Sequence, residues 1–448
     1  MKAGFARLEM TPPLGTPLCG YFHLRPADGI ITPLYINAIA LDDGETKAVL
    51  VTLDLEGMSR ANNTVLREKI AERTGIDAEA MFIHCIHTHL GPVNGDYTNP
   101  DKCSPYDHYL ISRIGDTVIL ALEDMERSGE AKAYIARGKA EGISFVRLFR
   151  LKDGTFKTHA TMKDPNVVGP AGEPDETVQL VKITREGDSD IAIAHFGTHP
   201  DVITAQKELA CSICYDWPGF VRDILEKTLD DEANGKGVHA ICFNGAQGDV
   251  NHVNPFDRKG GLEHSKHMAK VIAGEIVKMY TYADEVEFSK IAYKQQPVNV
   301  ETAKGTEEDV KMAYRVVELQ EQGGYDAVKQ AKLNGEVDFD ISVARKFIGL
   351  RNWRDRKDLY VSALAVGEVA FVGFHGETFT QIGVQTKAGS PYKMTLPCCY
   401  GNGGEGYFPM KEVFTGGGYE ATTARFKMGT AEKLIEAAVK LTNELHEK

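Results

Sequence analysis

Short apolar runs alternate with amphipathic segments along almost the whole chain, and this rhythm limits the possible folds more than any other feature. Residues 35–41 and 48–53 read as strands, 62–74 as an amphipathic helix, and 81–83 as a buried strand. A long helix is expected over 106–126. Strands follow over 132–135, 144–151, 178–184 and 191–196. Helices over 217–229 and 264–280 flank a buried strand at 238–243. Strands return over 360–366 and 369–374, and a helix over 424–445 closes the chain. Alternation of this kind predicts an α/β protein with a layered mixed β-sheet core flanked by helices. Residues 302–355 depart from it. They are charged and helix-patterned, with a break at Gly323-Gly324, and are expected to form a helical insertion or cap within a single domain spanning 1–448.

The chain has 448 residues, 42% hydrophobic and 26% charged, as in an ordinary globular protein with a sizeable core. Its net charge of −13 comes with no compensating Lys/Arg cluster, which argues against nucleic acid and against docking on an anionic membrane. No stretch reads as a bilayer span, and the segment Met1 to Arg7 has no apolar leader character. Eight cysteines are too sparse for a disulfide scaffold, so free thiols in a reducing cytoplasm are expected. Cys211 and Cys214 form a CxxC with no second pair to complete a structural zinc site. The expected partner is a small-molecule substrate, and a homo-oligomer stays open.

The chemistry gathers where strands end. The run Ile86-His87-Thr88-His89-Leu90-Gly91-Pro92 follows the strand at 81–83. In an extended chain alternate side chains share a face, which puts His87 and His89 on one side and His84 on the other. Neutral imidazole is the commonest metal ligand. The strand at 191–196 runs into Gly197-Thr198-His199-Pro200-Asp201, and the strand at 238–243 into Gly248-Asp249-Val250-Asn251. The strand at 369–374 ends in His375-Gly376-Glu377, and a Gly-rich stretch over 401–418 carries Tyr407. Ligand sites of α/β sheets lie beyond the carboxyl ends of strands. Each residue has a plainer explanation. Asp249 could cap a turn, Glu377 could open a helix, and His199 could be a packed loop histidine. The repeated placement is what points to one convergent site.

The order of these motifs resembles the neutral/alkaline non-lysosomal ceramidase superfamily. The matching pieces are Glu9-Met10-Thr11-Pro12, Gly20-Tyr21, Leu53-Asp54, His87 to Pro92, Thr198-His199-Pro200, Gly248-Asp249-Val250, Gly376-Glu377, Tyr407 and Tyr419-Glu420. The resemblance implies a ceramidase-like catalytic domain with a catalytic zinc bound by His87, His199, Glu377 and Tyr407. It puts His89 against the substrate and Arg147 near the reacting carbonyl. The chain departs from the pattern at Asn251, where the family has its nucleophilic serine, and the immunoglobulin-like domain of long members is not expected in it. A carboxamide cannot replace that hydroxyl as a nucleophile.

These readings lead to an expected zinc hydrolase acting on an amide or ester, or on a lactone or carbohydrate-linked bond, of a soluble substrate. Metal-activated water would be the nucleophile. His89 or Asp249 would handle protons, and Arg147 or Asn251 would hold the substrate oxygen. Two alternatives are a catalytically inactive metal- or ligand-binding relative and an amidohydrolase-type barrel, whose metal sites also use HxH at a strand end.

Overall fold

The computed structural model describes residues 1–230 and 236–447. Its strands form three main mixed sheets, with helices packed on them. The first sheet has the order Lys2–Glu9, Tyr35–Asp42, Lys47–Leu53, Met81–Cys85. The second runs Val238–Asn244, Asp190–Phe196, Thr177–Arg185, Ala131–Lys139, Asp284–Val286. The third runs Ile291–Glu301, Arg356–Val366, Val369–Phe374, Met394–Cys398. Three mixed sheets are not a closed barrel of eight parallel strands, so the amidohydrolase alternative falls.

Each sheet is antiparallel except for one parallel pair at an edge. These pairs are Lys47–Leu53 with Met81–Cys85, Asp190–Phe196 with Val238–Asn244, and Val369–Phe374 with Met394–Cys398. All six strands are almost wholly buried, which matches their near-continuous apolar sequences. The three pairs meet at an aromatic cluster with one ring from each sheet. The ring centroids of Phe82, Phe243 and Phe371 lie 5.3–6.2 Å apart. Such pairs contribute about 0.5–1.5 kcal/mol each beyond their buried area.

His84 joins the three sheets by hydrogen bonds. Its Nδ1 lies 2.8 Å from the Cys399 carbonyl, and its Nε2 accepts from the Asn244 amide at 3.0 Å. A carbonyl only accepts, so Nδ1 carries the proton and the ring is neutral. Burial pushes its pKa down to about 3. The histidine on the far side of the strand from His87 is therefore a structural junction.

On the outer face of the first sheet, Gly4 allows the helix Pro105–Arg127 to lie directly on the strand Lys2–Glu9. A Cβ at Gly4 would stand 2.2 Å from the Ala121 carbonyl oxygen. Between the strands Ile291–Glu301 and Arg356–Val366 the chain leaves the sheet and forms two helices, Glu307–Leu333 and Ile341–Leu350, with their own small apolar cluster. The first of them bends at Gly323 and Gly324.

The strands Lys2–Glu9, Ile291–Glu301 and Met394–Cys398 lie outside the segments expected as strands, and two expected elements differ in form. The strand expected over 144–151 is broken into Phe145–Val146 and Leu148–Leu151, with Arg147 in the break. The two halves pair with different partners, Val250–Asn251 and the strands around Phe156 and Val167, so one straight ladder cannot hold both. The closing helix starts at Thr430 rather than 424. Gly429 sits at φ +89°, and a separate short helix, Tyr419–Thr423, precedes it. No helix among the described residues is long and apolar enough to cross a membrane.

Candidate metal centre

The carboxyl ends of the three parallel pairs deliver His87, His199 and Glu377 to one place. His199 Nε2 stands 3.0 Å from Glu377 Oε2, and His87 Nε2 stands 3.5 Å from the same oxygen. His89 Nε2 is 3.3 Å from His87 Nε2. Ligand atoms of His87, His89 and His199 all fall within 4.8 Å of one another. All four side chains are buried.

His87 and His89 converge by a different route from the one the extended-chain argument gave. The strand ends at Cys85, and His87 takes a left-handed backbone with φ +72°. Residues with a Cβ rarely adopt that conformation, and where they do the surroundings must hold them there. Here the His87 amide donates to the Leu55 carbonyl, and the ring stacks on Tyr400 at 4.7 Å. Gly20 closes the site behind His89. Its φ is +95°, and a Cβ there would come within 2.4 Å of His89 Nδ1.

The hydrogen bonds fix the tautomers. His87 Nδ1 is 2.7 Å from the Glu56 carbonyl, and His199 Nδ1 is 2.8 Å from the Gln247 carbonyl. Both Nδ1 atoms must therefore carry hydrogen, so that in the neutral rings the Nε2 lone pairs face the Glu377 carboxylate. His199 Nε2 and Glu377 Oε2 are buried and neither makes a hydrogen bond. Lone pairs facing a carboxylate out of water are costly unless a cation lies between them. Two imidazoles and a carboxylate fit a divalent metal, with His89 close enough to join them.

Tyr407 lies beside this group. Its strand, Tyr407–Phe408, pairs in parallel with Glu377–Thr378, and its ring stacks at 6.4 Å on His199. Burial, reinforced by Glu377, holds its phenol well above the usual pKa. Tyr400 donates its hydroxyl to Glu377 Oε1 at 3.2 Å and is itself at φ +48°. Tyr400 escaped the sequence reading. The rule that finds chemistry at strand ends would have reached it, had residues 394–398 been read as a strand.

The other candidates surround the centre and have partners of their own. Asp249 Oδ1 accepts from the Thr380 amide at 2.6 Å and from its hydroxyl at 2.8 Å, which caps the helix Thr380–Gly389. Burial pushes the Asp249 pKa up to about 6. Asn251 Nδ2 stands 3.1 Å from His159 Nε2, and its Oδ1 accepts from the Val253 amide. Arg147 Nε donates to Glu420 at 2.7 Å, Nη2 donates to the Gly248 carbonyl at 2.9 Å, and the guanidinium lies 5.4 Å from the Tyr407 ring centre.

The Arg147–Glu420 pair is almost fully buried, with 5% and 0% of the side chains exposed. Arg147→Met is expected to leave the Glu420 carboxylate unpaired and to lower stability by about 3 kcal/mol. Urea denaturation measures this. A loss near zero would mean that water reaches the pair.

Comparison with known proteins gives structural likeness without sequence likeness. No protein-family model and no curated protein matches the chain. The crystal structure of neutral ceramidase from Pseudomonas aeruginosa superposes with a TM-score of 0.74 at 15% identity, covering 100% of this chain and 74% of that one. A structure described as ceramidase complexed with C2 gives 0.73 at 16% identity, with coverages of 100% and 75%. At this level of identity the likeness establishes architecture: the chain has the fold of the neutral ceramidases over its whole length.

Proposed function

We propose that this protein is a zinc-dependent hydrolase that cleaves an amide or ester bond, or a lactone or carbohydrate-linked bond, of a soluble small molecule, with water as the nucleophile. The observation that carries the reading is the pair of Nε2 atoms of His87 and His199 aimed at one oxygen of Glu377, with both Nδ1 atoms bonded to backbone carbonyls. His87, His199 and Glu377 would hold the ion, with Tyr407 as the fourth ligand. Zinc bound there supplies Lewis acidity and a water activated near neutral pH.

The other residues divide the remaining work. Burial and the neighbouring His87 keep His89 neutral, so its lone pair can take a proton on the substrate side. Glu56 and Gln247 lock the ligand rings through their carbonyls, and Tyr400 orients Glu377. Arg147 and Asp249 act as positioning residues. Arg147 fixes Tyr407 and Gly248, and Asp249 fixes the helix that follows Glu377. Asn251, whose amide already bonds His159 and Val253, would offer a substrate oxygen only its remaining Nδ2 hydrogen, in place of a protein nucleophile. The protein is read as cytoplasmic, and a homo-oligomer is compatible with this scheme. A second reading, a ligand-binding relative without turnover, draws on Asn251 itself.

The test is metal analysis followed by a screen of amides, esters, lactones and glycosides on metal-loaded protein. Turnover with no covalent adduct in the mass spectrum is expected, and short-chain ceramide should stay intact. A trapped adduct would refute the water mechanism. Absence of turnover on every class would favour the second reading. His89→Ala should lower kcat by about 10²-fold or more while metal content holds near one equivalent. Loss of the metal in that variant would make His89 a ligand.

A further inference from the structure

A cleft of about 710 Å³ opens over His89, Glu377 and Tyr407, and the second inserted helix, Ile341–Leu350, forms one of its walls. That wall carries positive charge with little to neutralise it. Arg345, on the helix Ile341–Leu350, is exposed and makes no ion pair among the described residues, and its guanidinium rests 5.9 Å from the Phe22 ring centre. Lys346, next to it, is half-buried and donates to the Thr422 carbonyl at 2.6 Å, with no carboxylate at ion-pair distance among the described residues. Its amine is pushed down to about 8 by burial.

The acidic groups of the cleft already have partners. Glu56 accepts from the Cys19 thiol, Asp96 faces Lys102, and Glu377 faces the histidines. None of them lies at ion-pair distance from Arg345 or Lys346, and Asp309, the acidic group whose charge reaches Lys346, already accepts from the amide and hydroxyl of Thr306. In a chain of net charge −13, a free guanidinium beside a desolvated ammonium, on the wall of a cleft whose floor holds the candidate metal ligands, is an unusual place to keep two cations. An arginine fork and a lysine point charge together match a carboxylate or a phosphate.

We infer that the substrate carries an anionic group, carboxylate or phosphate, that docks on Arg345 and Lys346 of the inserted helix while its scissile bond lies over His87, His199 and Glu377. The inference rests on the hydrolase reading for the second half of that statement only. The anion contact stands on the cap residues themselves. It makes the insertion the specificity element of the cleft.

The experiment is calorimetric titration of the full-length protein with glutarate and with glycerol 3-phosphate, against glutaramide and glycerol as neutral counterparts. At least one anion should bind at least tenfold more tightly than its neutral counterpart, and more weakly as salt rises. The tighter of the two tells carboxylate from phosphate. Arg345→Gln, on an exposed side chain that should not disturb folding, is expected to weaken that binding at least tenfold. Arg345→Gln with Lys346→Gln should abolish it, and Lys270→Gln, on a different helix, should not. In steady-state kinetics the kcat/KM ratio of mono(4-nitrophenyl) glutarate to 4-nitrophenyl acetate should also fall at least tenfold in Arg345→Gln. Equal binding of charged and neutral ligands, or anion binding unaltered in Arg345→Gln, would overturn the inference. Arg345-dependent anion binding with no hydrolysis of any substrate would uphold it and remove the hydrolase reading instead.

Discussion

Replacing His199 with alanine is expected to take bound metal from near one equivalent to well below it. His199 Nε2 faces Glu377 Oε2 at 3.0 Å with no hydrogen bond between them, and the ring is held there by the Gln247 carbonyl. Removing the ring takes away a donor atom and leaves the carboxylate buried opposite a void. Outer partners of metal ligands already cost about 10–100-fold in affinity or activity when lost, so loss of a ligand should cost more than about 100-fold. Elemental analysis of the purified variant beside the wild type gives the metal content, and hydrolysis of the best screened substrate gives the activity. A variant that keeps a full equivalent would mean that the metal sits elsewhere.

Acid should destabilise the metal-free fold steeply, before most carboxylates titrate. His84, His195 and His375 are all fully enclosed, and burial pushes their pKa values down to about 3, 4 and 3. In the unfolded chain each returns to about 6.5. Between those values the unfolded state binds more protons than the folded one, so stability is lost as pH falls below about 6.5. Each histidine then contributes about 1.4 kcal/mol per pH unit, or about 6 kcal/mol for the three between pH 7 and pH 5. His87 runs the other way. Burial opposes its charged form, but the Glu377 carboxylate raises its pKa overall and offsets part of the loss. Urea midpoints of chelated protein at pH 7 and pH 5 measure the balance. Equal midpoints would mean that these rings are protonated in the fold.

Much of the centre could be read from residue order alone. Buried strands announce themselves by continuous apolar runs, and the residues just past their ends are the ones a sheet presents to a ligand. That argument reached His87, His199 and Glu377 one strand at a time, and the structure brings these three together. The left-handed turn at His87 was not legible, because a residue with a Cβ adopts φ +72° only rarely and no sequence signal marks it here. The Leu55 carbonyl and the Tyr400 ring impose it from distant parts of the chain. Tyr400 was missed because residues 394–398 did not read as a strand, and its bond to Glu377 is set only by the fold.

By itself, then, the sequence determined many of the buried strands and helices and the polar groups at the ends of those strands, because burial periodicity and strand termination are local properties. It also carried the order of motifs that resembles the neutral ceramidases, whose fold the chain shares over its whole length. Only the tertiary structure decided that three separate sheets turn their single parallel pairs toward one another around Phe82, Phe243 and Phe371. It also decided which tautomer each histidine adopts, and that Arg147 and Asp249 spend hydrogen bonds on Glu420, Gly248 and Thr380. Those outcomes depend on packing and on pairing between groups up to hundreds of residues apart. No window of sequence contains both members of such a pair, and only folding sets the geometry between them.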